Sequence, residues 1–251
     1  SVEEVRAFSQ QNGEPQAFTD FRANALQQAA ELELPKPDRT NISKWNFIDV
    51  AAHTVESAAY ASLDELPEEV KSIIDAEAQQ NLYIQRNNTP AFIRVSNELT
   101  SKGVIITDIE TAVREHADLV AQYFMTTAVK VDEHKLTAYH AALVNGGVFV
   151  YVPRNVIVEE PIQVVFVHDN AEASLFNHVL IVAEQSSAVT YVETYISTVE
   201  EAKGQVNVVT EVIAKDNAQV TFGAVDNLTT GFTAYMNRRG HVARDAKIDW
   251  A

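Results

Sequence analysis

Apolar positions change their period about midway along the chain, and the change separates two kinds of structure. After Pro15, residues Phe18, Phe21, Ala25, Leu26 and Ala29 recur at helical spacing, and Pro35 and Pro37 close the run, which predicts a helix. A second helix is predicted from Pro67 through Val70, Ile73 and Ile74 toward Ala78. The runs at 81–85 and 91–95 instead read as strands, and Asn87-Asn88-Thr89-Pro90 between them has hairpin-loop composition. Thr107-Asp108-Ile109-Glu110 has capping-box form and opens a helix whose buried stripe would be Ile109, Val113, Val120 and Phe124.

From about Gly147 the helical period disappears. Short runs rich in Val, Ile, Thr, Tyr and Phe alternate with polar clusters, and a weak repeat runs through them. Ser187-Ala188-Val189-Thr190-Tyr191, Ala218-Gln219-Val220-Thr221-Phe222 and Ala246-Lys247-Ile248-Asp249-Trp250 share the order small, variable, β-branched, polar, aromatic, with starts 31 and 28 residues apart. That period suits coils stacked into a solenoid, with Val189, Val220 and Ile248 in one internal ladder. A β-sandwich with evenly spaced strands is the competing arrangement. The expected layout is a helical N-terminal domain with a small β-hairpin over 1–130, followed by a right-handed parallel β-helix over 131–251. The fold class is mostly β with a helical N-terminal part.

Composition narrows the function classes. The chain has 251 residues, 46% of them hydrophobic, enough for a substantial core. A formal charge of -16 repels phosphate backbones and anionic headgroups, so neither nucleic acid nor a membrane surface is an expected partner. No run is long and apolar enough for a membrane span, and SVEEVRAFSQ is unlike a signal peptide, which points to a soluble, cytoplasmic protein. Cys is absent, which removes disulfides, thiolate nucleophiles and thiolate ligands. The chain opens on Ser1 and stops just after Trp250 with no turn signal, so it reads as a fragment, incomplete at its C-terminal end.

The stretch from His140 to Val156, HAALVNGGVFVYVPRNV, followed by Val158-Glu159-Glu160-Pro161-Ile162, resembles the signature of the SufB/SufD family of iron-sulfur cluster assembly proteins. Similar segments are Leu34-Pro35-Lys36-Pro37 with Lys44-Trp45-Asn46-Phe47, Leu66-Pro67-Glu68-Glu69-Val70, Gln85-Arg86-Asn87-Asn88-Thr89-Pro90, Arg114-Glu115-His116-Ala117-Asp118-Leu119-Val120 and Arg239-Gly240-His241-Val242. The resemblance implies a right-handed β-helix behind a helical domain, in a non-catalytic scaffold subunit of the SUF complex. Its implied partners are a SufB-like paralogue and a SufC-like ABC ATPase. The lack of Cys favours the SufD branch, since SufB chains carry the cysteine chemistry. The resemblance implies that the family's cluster-related residues, a Cys of SufB and a His of SufD, sit late in the β-helix and that the ATPase docks on a C-terminal helical segment. Neither region is recognisable in this sequence, so no functional residue is carried over.

Candidate chemistry is sparse. His134 and His140, with Asp132 and Glu133, could set imidazole and carboxylate near one iron, against the simpler reading of a solvated charged turn, which is preferred. His168 beside Asp169, and His178 alternating with Phe176 and Leu180 on one face, read as core or capping histidines. Glu159-Glu160 and Glu200-Glu201 raise the alternative of a β-helix lyase or hydrolase acting on carbohydrate, but neighbours on a strand point to opposite faces. Gly146-Gly147 lacks the Lys and helix of a phosphate loop and reads as a tight turn where a side chain would clash. No catalytic residue and no metal ligand is assigned, no cofactor is expected on these residues, and any cluster would belong to the full complex.

Overall fold

The computed structural model describes residues 1–35, 55, 57–200, 204–228 and 233–251. Lys36, Pro37, the Lys44-Trp45-Asn46-Phe47 segment and Glu201 lie outside them. The first part of the chain forms α1 (Val2–Gln11), α2 (Gln16–Glu31), α3 (Glu68–Lys71), the hairpin β1 (Asn81–Arg86) and β2 (Thr89–Arg94), and α4 (Asn97–Ser101). It continues through β3 (Ile105–Asp108), α5 (Ile109–Glu115), α6 (Ala117–Tyr123) and α7 (Lys135–Leu143). Eight strands follow: β4 (Gly146–Val152), β5 (Ile162–His168), β6 (Leu175–Ala183), β7 (Ala188–Ser197), β8 (Gln205–Ala214), β9 (Gln219–Asn227), β10 (Thr233–Val242) and β11 (Lys247–Trp250).

Two predicted helices are shorter than their periodicity suggests. The run after Pro67 keeps only one α-helical turn, because Asp75 accepts from the Ala78 backbone N–H and starts a separate 3-10 turn at Ala76–Ala78, leaving Ile73 exposed. The run after Thr107 is broken at His116, whose φ of -127° and ψ of 40° end α5 before α6 begins. Its N-cap is also one residue later than expected: Asp108 caps the Thr111 N–H at 2.9 Å, while Thr107 belongs to β3.

Odd and even strands of the C-terminal part fall into two sheets. One has the order β11-β9-β7-β5-β1-β2 and the other β10-β8-β6-β4-β3, with parallel pairing throughout except at β1/β2 and β3/β4. Successive strands thus alternate between sheets, which is a parallel β-solenoid and not an antiparallel sandwich. Val189, Val220 and Ile248 share a rung, as do Tyr191, Phe222 and Trp250, whose rings follow one another at 5.2 Å.

The period of two sorts each strand between faces. Val150, Val164, Phe166, Val179, Ile181, Tyr191, Val208, Val212 and Phe222 fill the solenoid interior. The other face of the second sheet, with Phe149, Leu180, Val182, Val209 and Ile213, is buried against Ala25, Val113, Val120, Phe124 and Ala141 of the helices. A third cluster packs Leu63, Leu66 and Val70 on Leu82, Ile84, Val165 and Val167.

One corner of the coil recurs. Asn155, Ser186, Asn217 and Asp245 all have positive φ, between 57° and 63°, and follow each other at 31, 31 and 28 residues. Their backbones stack: Asn155 N–H donates to Gln185 O at 3.0 Å, Ser186 N–H to Asp216 O at 2.9 Å, and Asn217 N–H to Arg244 O at 2.8 Å. Short polar side chains tolerate this left-handed conformation, so the corner composition is set by the backbone.

Candidate functional site

Polar side chains on the outer face of the second sheet have no access to water, and they form a chain. From β8, Asn207 Oδ1 lies 3.1 Å from His140 Nδ1 of α7; His140 Nε2 lies 2.9 Å from His178 Nδ1 of β6; His178 Nε2 lies 2.9 Å from Glu211 Oε1 of β8. All four residues are 0–2% exposed. The far carboxyl is wrapped by the segment after α6, where Met125 N–H donates to Oε1 at 2.8 Å and Val129 N–H to Oε2 at 3.1 Å. Phe124 stacks on the His178 ring at 4.0 Å, closing the remaining side. Burial pushes Glu211 up to about 8, against the two backbone donors, and pulls His178 down to about 3. His140 is also held well below the usual imidazole range by burial. At neutral pH the pair is therefore a carboxylic acid and a neutral imidazole, not an ion pair.

Geometry fixes how such a chain is satisfied. Glu211 donates its proton to His178 Nε2, His178 donates from Nδ1 to His140 Nε2, and His140 donates from Nδ1 to Asn207 Oδ1. Each link runs the same way. Asn207 Nδ2 is left without a partner among the described residues.

A second polar lane lies inside the solenoid. Tyr83 OH donates to Gln85 Oε1 at 3.1 Å, Gln85 Nε2 to Asn177 Oδ1 at 3.0 Å, and Asn177 Nδ2 to Tyr195 OH at 2.7 Å. Toward β10, Tyr191 OH donates to the buried Glu193 at 2.8 Å, and Arg238 bridges Glu193 at 3.3 Å and Asp226 at 3.0 Å. Burial raises Glu193 to about 7, against the pull of Arg238.

The residues singled out in the sequence are dispersed among different tasks. His134 is the N-cap of α7: its Nδ1 accepts from Leu136 and Thr137 N–H, and its Nε2 sits 3.0 Å from Tyr235 OH, so it does not join His140. Glu133 is paired with Arg239 at 2.7 Å, and Asp132 lies beside it in the 3-10 turn Val131–Glu133. His168 is buried, and burial brings it down to about 4, while Asp169 is committed to Arg86 at 2.6 Å and Asn87 at 2.8 Å. His178 does share a buried face with Phe176 and Leu180, but both its ring nitrogens are engaged. Glu159 and Glu160 are exposed between β4 and β5, and Glu200 is exposed after β7. Gly146 and Gly147 open β4 and do not form a turn. The expected clash is real, since a Cβ on Gly147, at φ +134°, would stand 1.9 Å from His178 O. Asn207 and Glu211 were missed. Their signal was two polar residues four apart in Val206-Asn207-Val208-Val209-Thr210-Glu211-Val212, on one face of a mostly apolar strand.

The parallel solenoid behind a helical layer defines a class of architecture, and family comparison places the chain within it. Residues 11–164 match the SufBD protein N-terminal region, and residues 166–251 match the SufBD core domain of the SUF system for FeS cluster assembly. The chain belongs to the SufBD family. It is 56% identical over 251 residues to the iron-sulfur cluster assembly protein SufD of Bacillus subtilis, covering 99% of this chain and 57% of that protein. An iron-sulfur cluster assembly SufBD family protein of Staphylococcus haemolyticus is 29% identical across 98% of this chain and 54% of its own length. One from Staphylococcus saprophyticus is 28% identical with the same coverage. The chain thus spans about half the length of the curated relatives it matches. Among the described residues no helix is long and apolar enough to cross a membrane.

Proposed function

We propose that this chain is part of a non-catalytic, SufD-like scaffold subunit of the SUF iron-sulfur cluster assembly system, working in the cytoplasm. The carrying observation is the 56% identity to a SufD protein along 99% of the chain. The physical picture agrees with it: the titratable groups at the centre of the molecule are tied to one another and to backbone, and the chain's geometry serves to hold strands in register. In the intact protein the partners are a SufB-like paralogue and a SufC-like ABC ATPase. The residues of this chain take no cofactor, and a cluster is held only in the assembled complex.

Co-purification tests the reading. Tagged intact protein drawn from its native cell brings down an ABC-type ATPase and a SufBD paralogue in fixed ratio. Recovery of neither would refute the scaffold role, and so would turnover of polygalacturonate or a similar acidic glycan by the purified protein. The 251-residue chain alone is expected to carry no iron near one per chain by elemental analysis. Such iron, lost on His134→Ala or His140→Ala, would overturn the assignment of no metal to these residues.

A further inference from the structure

The buried chain from Asn207 to Glu211 joins pieces that are far apart in sequence: α7, the segment after α6, and strands β6 and β8. It is a fully buried polar element set among the apolar side chains of that interface. We propose that this chain is a one-proton latch, fastening α7 and the segment after α6 to the second sheet by hydrogen bonds that all run one way while Glu211 holds a proton and must all reverse when it does not.

The reversal follows from counting protons. Without its proton Glu211 can only accept, so His178 must carry hydrogen on Nε2 and accept at Nδ1. His140 must then donate from Nε2 and accept at Nδ1, and the Asn207 amide must turn over to present Nδ2. Both imidazoles change tautomer for the loss of one proton. The Asn207 Nδ2 that now lacks a partner gains one, and Oδ1 takes its place as the orphan. A state in which Glu211 is charged and the imidazoles have not switched leaves two acceptors facing each other in a dry interface, which favours opening.

Among the described residues no other charge is placed to take over. Arg239, the rung neighbour of Glu211 on β10, is spent on Glu133 at 2.7 Å. Glu133 itself raises the Glu211 carboxyl further. On the α2 side Arg22 disfavours charge on His140 and is paired with Glu14. His134 is bound to Tyr235, and Phe124 contributes only its ring.

Linkage gives the direction. Glu211 is raised from 4.5 to about 8, so closure loses stability as pH rises across that window; His178 is lowered from 6.5 to about 3, so closure gains stability as pH rises to 6.5. Between 4.5 and 6.5 these two effects oppose each other, and His140, also held low by burial, adds to the gain, so the latch is tightest near about pH 6.5.

Histidine-selective 15N NMR on the intact protein reads the tautomers directly. At pH 6 both His140 and His178 show the neutral Nδ1–H form; above the Glu211 titration both show Nε2–H. Unchanged tautomers between pH 6 and 9.5, or a charged imidazole at pH 6, would overturn the proposal. Glu211→Gln carries no titrating proton at this position, so both rings keep a single tautomer at every pH. Hydrogen exchange of α7 amides, corrected for intrinsic rate, supplies the energetic arm: opening rises by up to about tenfold per pH unit from 6.5 toward 8 in the native protein and stays flat in Glu211→Gln. An equal rise in both would sink the idea. If the variant does not fold, the native tautomer titration decides alone.

Discussion

Gly147 shows how one missing side chain positions the buried site. A Cβ there would meet His178 O at 1.9 Å, so β4 could not lie beside β6 at the rung that carries the histidine. The φ of +134° adds strain for any L side chain. Gly147→Ala is therefore expected to unfold the protein or cost more than about 4 kcal/mol, the range of exceptional substitutions. Gly223 in β9 is the control: its Cβ would meet Val192 at an ordinary 3.7 Å, and Gly223→Ala should leave stability unchanged or raise it by up to about 1 kcal/mol. Urea unfolding of both variants checks the pair. The Gly-Gly sequence revealed that a side chain was forbidden but not why, because the obstructing carbonyl comes from a strand 31 positions later.

Element by element, legibility followed the range of the forces involved. α2 and the β1–β2 hairpin were readable because their stripes and turn residues are local, whereas the break at His116 depends on packing that no periodicity reports. Attachment of α2 to the α1–α2 connection and to α7 likewise rests on a feature without a local signature. Arg22 forks onto Glu14 with two bonds of 2.7 Å, and its third nitrogen donates to Ala142 O at 3.1 Å, with both side chains 1–2% exposed. Removing one partner leaves the other charge buried alone, so Arg22→Ala or Glu14→Ala is expected to cost about 3–5 kcal/mol, and the double variant less than the sum. A double-mutant cycle in denaturant measures it. The solenoid corners give a milder expectation: Asn217→Gly is tolerated within a few tenths of a kcal/mol, while Asn217→Val, forced to φ 59°, loses about 1–2 kcal/mol or more. Thermal melts of the two separate backbone strain from lost contacts.

Taken whole, the molecule is a stack whose last described rungs carry an unshared edge. Beyond β10 and β11 no strand is paired among the described residues, and Trp250, Val242 and Val225 are about half exposed. Such an edge offers both backbone partners and apolar surface. Expressed by itself, the 251-residue chain is expected to self-associate through this end as concentration rises. Light scattering that finds a strict monomer at high concentration would contradict that, and Trp250→Lys should weaken the association. The repeat in Val189, Val220 and Ile248 announced this stacking, because a solenoid writes its long-range contacts at a fixed sequence interval. The buried chain of Asn207, His140, His178 and Glu211 had no such interval, since its members come from a helix and two strands.

The stacked corner has a bearing on where this architecture can change length. Rung partners Ile157, Ala188, Gln219 and Lys247 each follow the rung of Val152, Ala183, Ala214 and Val242 by the same five residues. All the difference between the 31- and 28-residue coils is therefore absorbed on the opposite side, between β7 and β8 or β9 and β10. The molecule resembles a bound book, with a spine of fixed thickness and fore-edges cut to any width. Insertions, tags and acquired recognition loops belong at that free margin, after Glu200 for example, whereas a single residue added between Ala214 and Gln219 would throw every later rung one step out of phase.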